Sequence, residues 1–271
     1  MEGQRLFGEN DWALILGASS GFGEATSLAL AQAGMNIFGV HLDRKSTLPN
    51  AERIVSQIKA MGREALFLNM NAADPAKRAE ALAKIEARLQ ATTPPGELKV
   101  LLHSLAFGTL KPFIADTPNE EITPAQMNMT LDVMAHSLVY WVQDLVRRKL
   151  LRRGGKVFAM TSAGGQRVWP MYGAVSAAKA ALESHVRQLA LELAPLGITV
   201  NAVRAGVTDT PALRKIPGHE KMITVAQERN PGKRLTTPQD VAAGIVALCH
   251  PGTYWMTGNV IGIDGGEDIV G

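Results

Sequence analysis

The stretch that most constrains the fold runs from Trp12 to Gly34. Trp12–Leu16 (WALIL) is a continuous apolar run, as expected of a strand buried on both faces of a parallel sheet. It leads directly into Gly17-Ala18-Ser19-Ser20-Gly21-Phe22-Gly23 and then into EATSLALAQAG, an amphipathic helix closed by Gly34. A strand, a tight glycine turn and a helix leave bare N–H groups at a helix N-terminus, an anion site suited to a pyrophosphate. The spacing is G-x3-G-x-G, not the commoner G-x-G-x-x-G. Glycines in a turn can be purely structural, but the flanking strand and helix favour a nucleotide. Gly17, Ser19, Ser20, Gly21, Phe22 and Gly23 are therefore candidate cofactor contacts.

The alternation continues to the end of the chain. Further strands are expected at Asn36–Val40, Glu64–Asn69, Lys99–Ser104, Lys156–Thr161, Ile198–Arg204 and Asn259–Asp264. Helices are expected over residues 50–61, 75–90, 124–150, 172–194 and 238–250, with Asp74-Pro75 and Thr237-Pro238-Gln239-Asp240 as start signals and Gly154-Gly155 after the third of them as a stop. The connections are short, and Thr92–Glu97 (TTPPGE) is a loop inside the rhythm. The pattern predicts one α/β domain over residues 1–271, a Rossmann-type doubly wound sheet of seven parallel strands.

Residues 210–235 break the rhythm. They carry Pro211, Pro217, Gly218, Pro231 and Gly232 and no strand, and they follow strand six at the edge where ligands bind, so they read as a lid. From Arg204 to Arg234 seven basic residues face three acidic ones, a local net of +4. Such a surplus is either solvated surface charge or a hint of an acidic partner or phosphorylated substrate. The cations at 147–153 suit a helix C-terminus and are read as solvated.

The strand ends supply the other cofactor candidates, since ligands bind outside the carboxyl edge of such a sheet. After strand two, an acidic residue would accept from a ribose 2′-hydroxyl and basic residues would favour a 2′-phosphate. His41 holds the expected position with Arg44 and Lys45 beyond it, which leans to NADPH; Asp43 leaves NADH open. Asn71 and Ala72 follow strand three, where a side-chain amide could meet the adenine. His103, Ser104 and Leu105 end strand four, with a packed core histidine as the plain alternative for His103; Thr161 and Ser162 end strand five. Gly206, Thr208 and Thr210 lie in the turn after strand six.

Tyr172–Lys179 (YGAVSAAK) opens the helix that ends before Pro195 and Gly197. A tyrosine and a lysine seven apart lie on nearly one helical face, because two turns take ~7.2 residues. A phenol beside an ammonium is expected to be a proton donor with a lowered pKa. Packing of the ring and solvation of the amine would be the ordinary reading of such a pair. The glycine motif and the strand ending in Thr161-Ser162 point instead to a catalytic pair.

Composition excludes several classes. The chain is 46% hydrophobic and 20% charged, a soluble mix, and its formal charge of +3 does not call for nucleic acid. Its single cysteine, Cys249, excludes an intrachain disulfide framework and reads as a packed thiol. No apolar run reaches the ~18 residues needed to span a bilayer, and the N-terminus lacks the pattern of a signal peptide. A cytoplasmic enzyme, with no resident metal, is expected.

These residues resemble the short-chain dehydrogenase/reductase family over essentially the whole chain. The resemblance rests on GASSGFG at Gly17–Gly23, on Tyr172 with Lys179, on RAGVTDT at Arg204–Thr210 and on IDGG at Ile263–Gly266. Most of that family has Y-x3-K; Y-x6-K looks like its enoyl-acyl-carrier-protein reductase branch, as does His103–Phe107 (HSLAF). Met134 and Ala159 stand where carbonyl reductases usually carry an asparagine and a serine, Ser162 where some enoyl reductases carry a second tyrosine, and Val207 where proline is common. The retained glycine loop looks closest to the third, NADPH-preferring bacterial isoform. The resemblance implies a homotetrameric enoyl-thioester reductase whose substrate rides on an acidic acyl carrier protein. Lys179 would hold the nicotinamide ribose, Tyr172 would serve the thioester oxygen, and Ser162 would complete the site. A carbonyl or alcohol oxidoreductase of the same fold is the second expectation, and a nucleotide-binding regulator without turnover the third.

Overall fold

The computed structural model describes residues 6–270. The expectation about a leader rests partly on residues 1–5, which lie outside the described residues. The seven expected strands are present: β1 (Asp11–Leu16), β2 (Asn36–His41), β3 (Ala65–Asn69), β4 (Glu97–His103), β5 (Leu151–Thr161), β6 (Thr199–Ala205) and β7 (Val260–Ile263). All pair in parallel in the order β3-β2-β1-β4-β5-β6-β7. The order reverses between β1 and β4, and their carboxyl ends open the crevice that such a switch point provides.

Period-two alternation sends each strand's residues into two separate cores. Ala13 and Ile15 of β1 pack with Leu30 of α1 (Gly21–Gln32), Ile54 of α2 (Leu48–Ala60), and Val241 and Ile245 of α8 (Pro238–Leu248). Trp12, Leu14 and Leu16 face the other way. They meet Leu82 of α3 (Pro75–Gln90), Leu138 and Trp141 of α5 (Ser137–Arg147), and Leu182 and Val186 of α6 (Gly173–Leu193). Trp12 stacks on Phe38 with ring centroids 4.0 Å apart.

Three expected elements differ. The helix expected over 124–150 is α4 (Pro124–Leu131), a π-helical turn (Asp132–His136) and α5, ending at Arg147. Its interruption lies in the backbone ladder rather than in the apolar pattern, so periodicity does not show it. The fifth strand starts at Leu151, not Lys156. Leu98 pairs with Leu151 and Val100 with Lys156, so residues 152–155 form a bulge in which Gly154 takes φ +85°. Gly154-Gly155 thus bends a strand instead of ending a helix, and Arg152 and Arg153 lie in the strand. The lid has no strand, as expected, but Gly218 (φ +75°) starts a helix in it, α7 (His219–Arg229).

Candidate active site

The glycine turn is built for a close neighbour. Gly17 has φ +91°, and a Cβ there would lie 2.4 Å from the Ser104 carbonyl oxygen; at Gly23 it would lie 1.9 Å from the Gly17 carbonyl oxygen. Only glycine lets β1, β4 and the start of α1 approach this far. Ser20 caps α1 with no side-chain hydrogen bond, so the first N–H groups of the helix point outward with the positive end of its dipole. This cradle fits the pyrophosphate of a nicotinamide dinucleotide, and Gly21 lies against Thr210 across the crevice.

At the adenosine end the expected roles change. His41 is buried rather than turned to the crevice, and its Nδ1 lies 2.8 Å from Asp43 Oδ2. Burial pushes the Asp43 carboxyl up, but hydrogen bonds from Ser19, Thr47 and His41, with the His41 charge, hold it below the usual range. Arg44 and Lys45 are exposed and join no ion pair among the described residues. The Asn71 side chain caps its own turn, with Oδ1 accepting from Ala73 N at 3.0 Å, and buried Ala72 offers its carbonyl to Trp141 Nε1 at 2.9 Å. Trp141 itself is fully buried.

At the nicotinamide end, β4, β5 and α6 converge. Tyr172 is the N-cap of α6 rather than its first helical residue, and its carbonyl accepts from Ser176 N at 2.8 Å. Burial raises its pKa, with Ser162 opposing the shift; the lowered phenol pKa expected from a neighbouring ammonium is not found, because burial dominates and Lys179 does not act on the phenol. Lys179 is buried, and its Nζ donates to the Met160 carbonyl at 2.7 Å. Burial pushes its amine down to about 8, with Glu183 opposing the shift.

His103 is fully buried, and burial with the Lys179 charge pushes its pKa to about 3, so it is neutral. Ser137 Oγ donates to the Val133 carbonyl, so the 2.8 Å contact between His103 Nε2 and Ser137 Oγ is donated by the histidine. Its Nδ1 is then a bare acceptor, with no partner among the described residues. The Thr161 hydroxyl, expected at the cofactor, donates instead to Glu183 Oε1 at 2.7 Å. Val207, lacking proline's ring, has an N–H, and Glu267 Oε2 accepts it at 3.0 Å. Burial raises the Glu267 pKa.

A cavity of about 450 Å³ joins these groups. Phe22, Ser104, Leu105, Thr161, Ser162, Tyr172, Lys179, Gly206, Thr208 and Thr210, all expected in the site, line it. Gly17, Ser19, Ser20, Gly21, Gly23, His41, Arg44, Asn71, Ala72 and His103 do not. Among these, Ser19, His41 and Arg44 belong to the adenosine end. The sequence reading missed an apolar wall formed by Met134, Trp169, Leu213, Ile216, Met222 and Val225. The π turn that presents Met134 leaves no signal in the sequence, but apolar residues within a polar lid are one.

The lid's charge is largely spent within the chain. Arg204 pairs with Asp268, Arg214 with Asp209 and Arg234 with Asp240, while Arg229 and Lys233 donate to carbonyls of Val270 and Glu228. Lys215 and Lys221 join no ion pair among the described residues.

A family model described as enoyl-(acyl carrier protein) reductase matches residues 17–267. The 1-cyclohexenylcarbonyl-CoA reductase of Streptomyces collinus is 28% identical over 95% of this chain and 87% of that one. The NADH-dependent enoyl-[acyl-carrier-protein] reductase of Aquifex aeolicus is 31% identical over 65% of this chain and 64% of that one. Its crystal structure, covering 97% of this chain and 98% of its own, has the same fold with a TM-score of 0.83 at 24% identity. A reductase that catalyses keto-reduction in lugdunomycin biosynthesis superposes over 98% of this chain and 100% of its own, with a TM-score of 0.81 and 28% identity. The glycine cradle, the Tyr172–Lys179 pair and the match over nearly all of the chain agree: this is an oxidoreductase domain of the short-chain dehydrogenase/reductase family, of the type that the matching model groups as enoyl-(acyl carrier protein) reductase.

Proposed function

We propose that the chain reduces the carbon–carbon double bond of a 2-enoyl thioester. The observation that carries this reading is the seven-residue step from Tyr172, at the N-cap of α6, to Lys179 within it. In a ketone reductase with a four-residue step the tyrosine lies ~6 Å along the helix from the lysine. The longer step adds ~4.5 Å at helical rise, which serves a thioester oxygen displaced from the carbon that receives hydride. When bound, the nicotinamide dinucleotide supplies that hydride. Lys179 holds the ribose hydroxyls and favours negative charge in the site. Tyr172, protonated at neutral pH, donates a hydrogen bond to the oxygen on which charge builds. Glycines 17–23 hold the pyrophosphate, and the lid wall of Leu213, Ile216, Met222 and Val225 excludes water from the acyl group.

NADPH is the cofactor we favour. Buried His41 already engages the Asp43 carboxylate, whereas Arg44 and Lys45 stand exposed beside it for a 2′-phosphate. The S. collinus relative's name makes its substrate a ring-bearing unsaturated coenzyme A thioester, so the acyl group here extends to cyclic as well as straight chains. An acyl carrier protein as donor and a homotetramer remain part of the proposal.

The presence of Ser162 and Tyr172 in the lining of one cavity favours a second reading, because a serine and a tyrosine together can grip a carbonyl oxygen. Oxidation of NADPH and of NADH at 340 nm, with a crotonyl or longer 2-enoyl thioester beside a ketone panel, separates the two. Turnover with the thioester and NADPH is expected. Turnover with ketones alone overturns the enoyl reading in favour of the second.

A further inference from the structure

Glu183 lies one helical turn beyond Lys179 on the same face of α6, and both side chains are buried, at 6% and 5% exposure. Each reaches back to the end of β5: Lys179 Nζ to the Met160 carbonyl at 2.7 Å, and Glu183 Oε1 to the Thr161 hydroxyl at 2.7 Å. The turn Ala163–Gly165 closes over both, and a Cβ at Gly165 would touch Lys179 Cβ at 3.5 Å and Glu183 Oε1 at 3.6 Å. A carboxylate is taken out of water only at high cost, and a single neutral hydrogen bond does not offset it. Lys179 is the buried cation one turn back on the same helical face, and it and Glu183 act on each other through the field of the buried site rather than through a direct ion pair.

We propose that Glu183 is a positioning residue for the reaction: its carboxylate keeps Lys179 protonated in the buried floor of the site, and its bond to Thr161 ties that charge to the strand end that faces the substrate. The proposal rests on the reading of Lys179 as the ribose-holding group.

The titratable groups packed against Lys179 are Glu183 from its own helix, His103 from β4 and Tyr172 from the helix N-terminus. His103 is neutral and Tyr172 protonated at pH 7, so neither supplies the negative charge. From the π turn, His136 lies 3.0 Å from His185 of α6, on the later turns of that helix. Arg167 and Glu267 stand across the cavity. Burial alone lowers the lysine, Glu183 opposes this, and the amine comes to rest at about 8. Removing the carboxylate therefore moves deprotonation into the neutral range.

The test is the pH dependence, from 6 to 9, of two quantities in the full-length protein: reductive kcat/KM and the dissociation constant of NADPH followed by nicotinamide fluorescence. For Glu183→Gln the alkaline limb of both is expected to fall by about one pH unit or more, with kcat at pH 6 within about threefold of wild type. Glu183→Asp, which keeps the charge one methylene further back, is expected to lie between the two. Should the glutamine variant not fold, the aspartate variant decides alone. Equal loss at every pH with an unmoved limb overturns the proposal and leaves Glu183 a structural residue. Lys179→Ala runs beside them: if it binds NADPH and turns over normally, the reading of Lys179 has failed, whereas a dead Lys179→Ala with an unshifted Glu183→Gln limb removes only the role of Glu183.

Discussion

Two cations of this chain, each set beside a carboxylate, show how the floor and the lid of the cleft differ. Lys179 in the floor is buried, and its amine is driven down to about 8 with Glu183 opposing. Arg234 in the lid is bound by Asp240 through both Nη atoms, at 2.6 and 3.0 Å, and its pKa is raised. The lid pair has the better geometry and the smaller consequence, because water screens it and the guanidinium is charged at any working pH. In the floor, desolvation makes the charge conditional, so a neighbour one turn away can control it. A charge placed in the lid tunes encounter, whereas one placed in the floor sets the chemistry.

The largest effects that this contrast predicts are therefore in the floor. Tyr172→Phe is expected to lower kcat by ~10²–10³-fold with NADPH binding nearly unchanged, the usual scale for losing a hydrogen-bond donor to developing negative charge. Lys179→Ala should lower kcat similarly and also weaken NADPH binding. Equal, small effects on both variants would break the assignment. The same lysine gives a sign that distinguishes chemistry from unfolding. Its folded pKa of about 8 lies below the ordinary 10.5, so the folded state releases this proton first. The contribution of Lys179 to stability then rises with pH across that window, while the active ammonium is lost. Wild-type activity should fall between pH 7.5 and 9 with no parallel fall in Tm; a matching fall would show that the limb reports unfolding.

Effects of middle size are expected at the lid's apolar wall. Ile216→Ala and Met222→Ala each remove methyl or methylene groups that line the cavity. At roughly 1.5–3 kcal/mol for a fully buried aliphatic side chain, each should raise KM for a medium-chain thioester by about tenfold and leave KM for NADPH alone. An equal rise with crotonyl and with longer thioesters would mean that the wall shapes the lid rather than gripping the chain.

Much of the floor is legible from residues because it depends on local chemistry. The run WALIL announces β1 by being apolar on both faces. Gly17 and Gly23 stand where no Cβ fits, and Tyr172 and Lys179 carry a spacing with few other uses. What escapes the sequence is decided by packing between distant segments. His41 and Arg44 look alike as bases around the end of β2, yet one is buried on Asp43 and the other is exposed. Thr161 looks like a site hydroxyl until Glu183, 22 residues on, takes it. The bulge at 152–155 is marked by Gly154-Gly155, but the pair reads equally as a helix stop, and the π turn at Asp132–His136 is a backbone event with no compositional mark. In and beside the lid, counting charges misleads for the same reason: Arg204, Arg214 and Arg234 have carboxylate partners in Asp268, Asp209 and Asp240, all outside residues 210–235.

The smallest expected effect follows from those partners. With the lid's arginines held within the chain, its cationic surplus rests mainly on Lys215, at the cavity mouth, and Lys221 in the first turn of α7. An acidic carrier protein would be steered by such charges, which act on encounter over about one Debye length, ~10 Å at 0.1 M salt. Lys215→Glu with Lys221→Glu should therefore lower kcat/KM for a carrier-borne enoyl thioester by about three- to tenfold at low salt, and by less as salt rises. The same acyl group on a neutral pantetheine fragment should show no loss, because nothing on it answers the charge. Loss with the neutral thioester would place the two lysines in the structure of the lid. No loss with either substrate would mean that the lid meets the acyl group without regard to its carrier, which would favour a free small-molecule thioester over a protein-bound one.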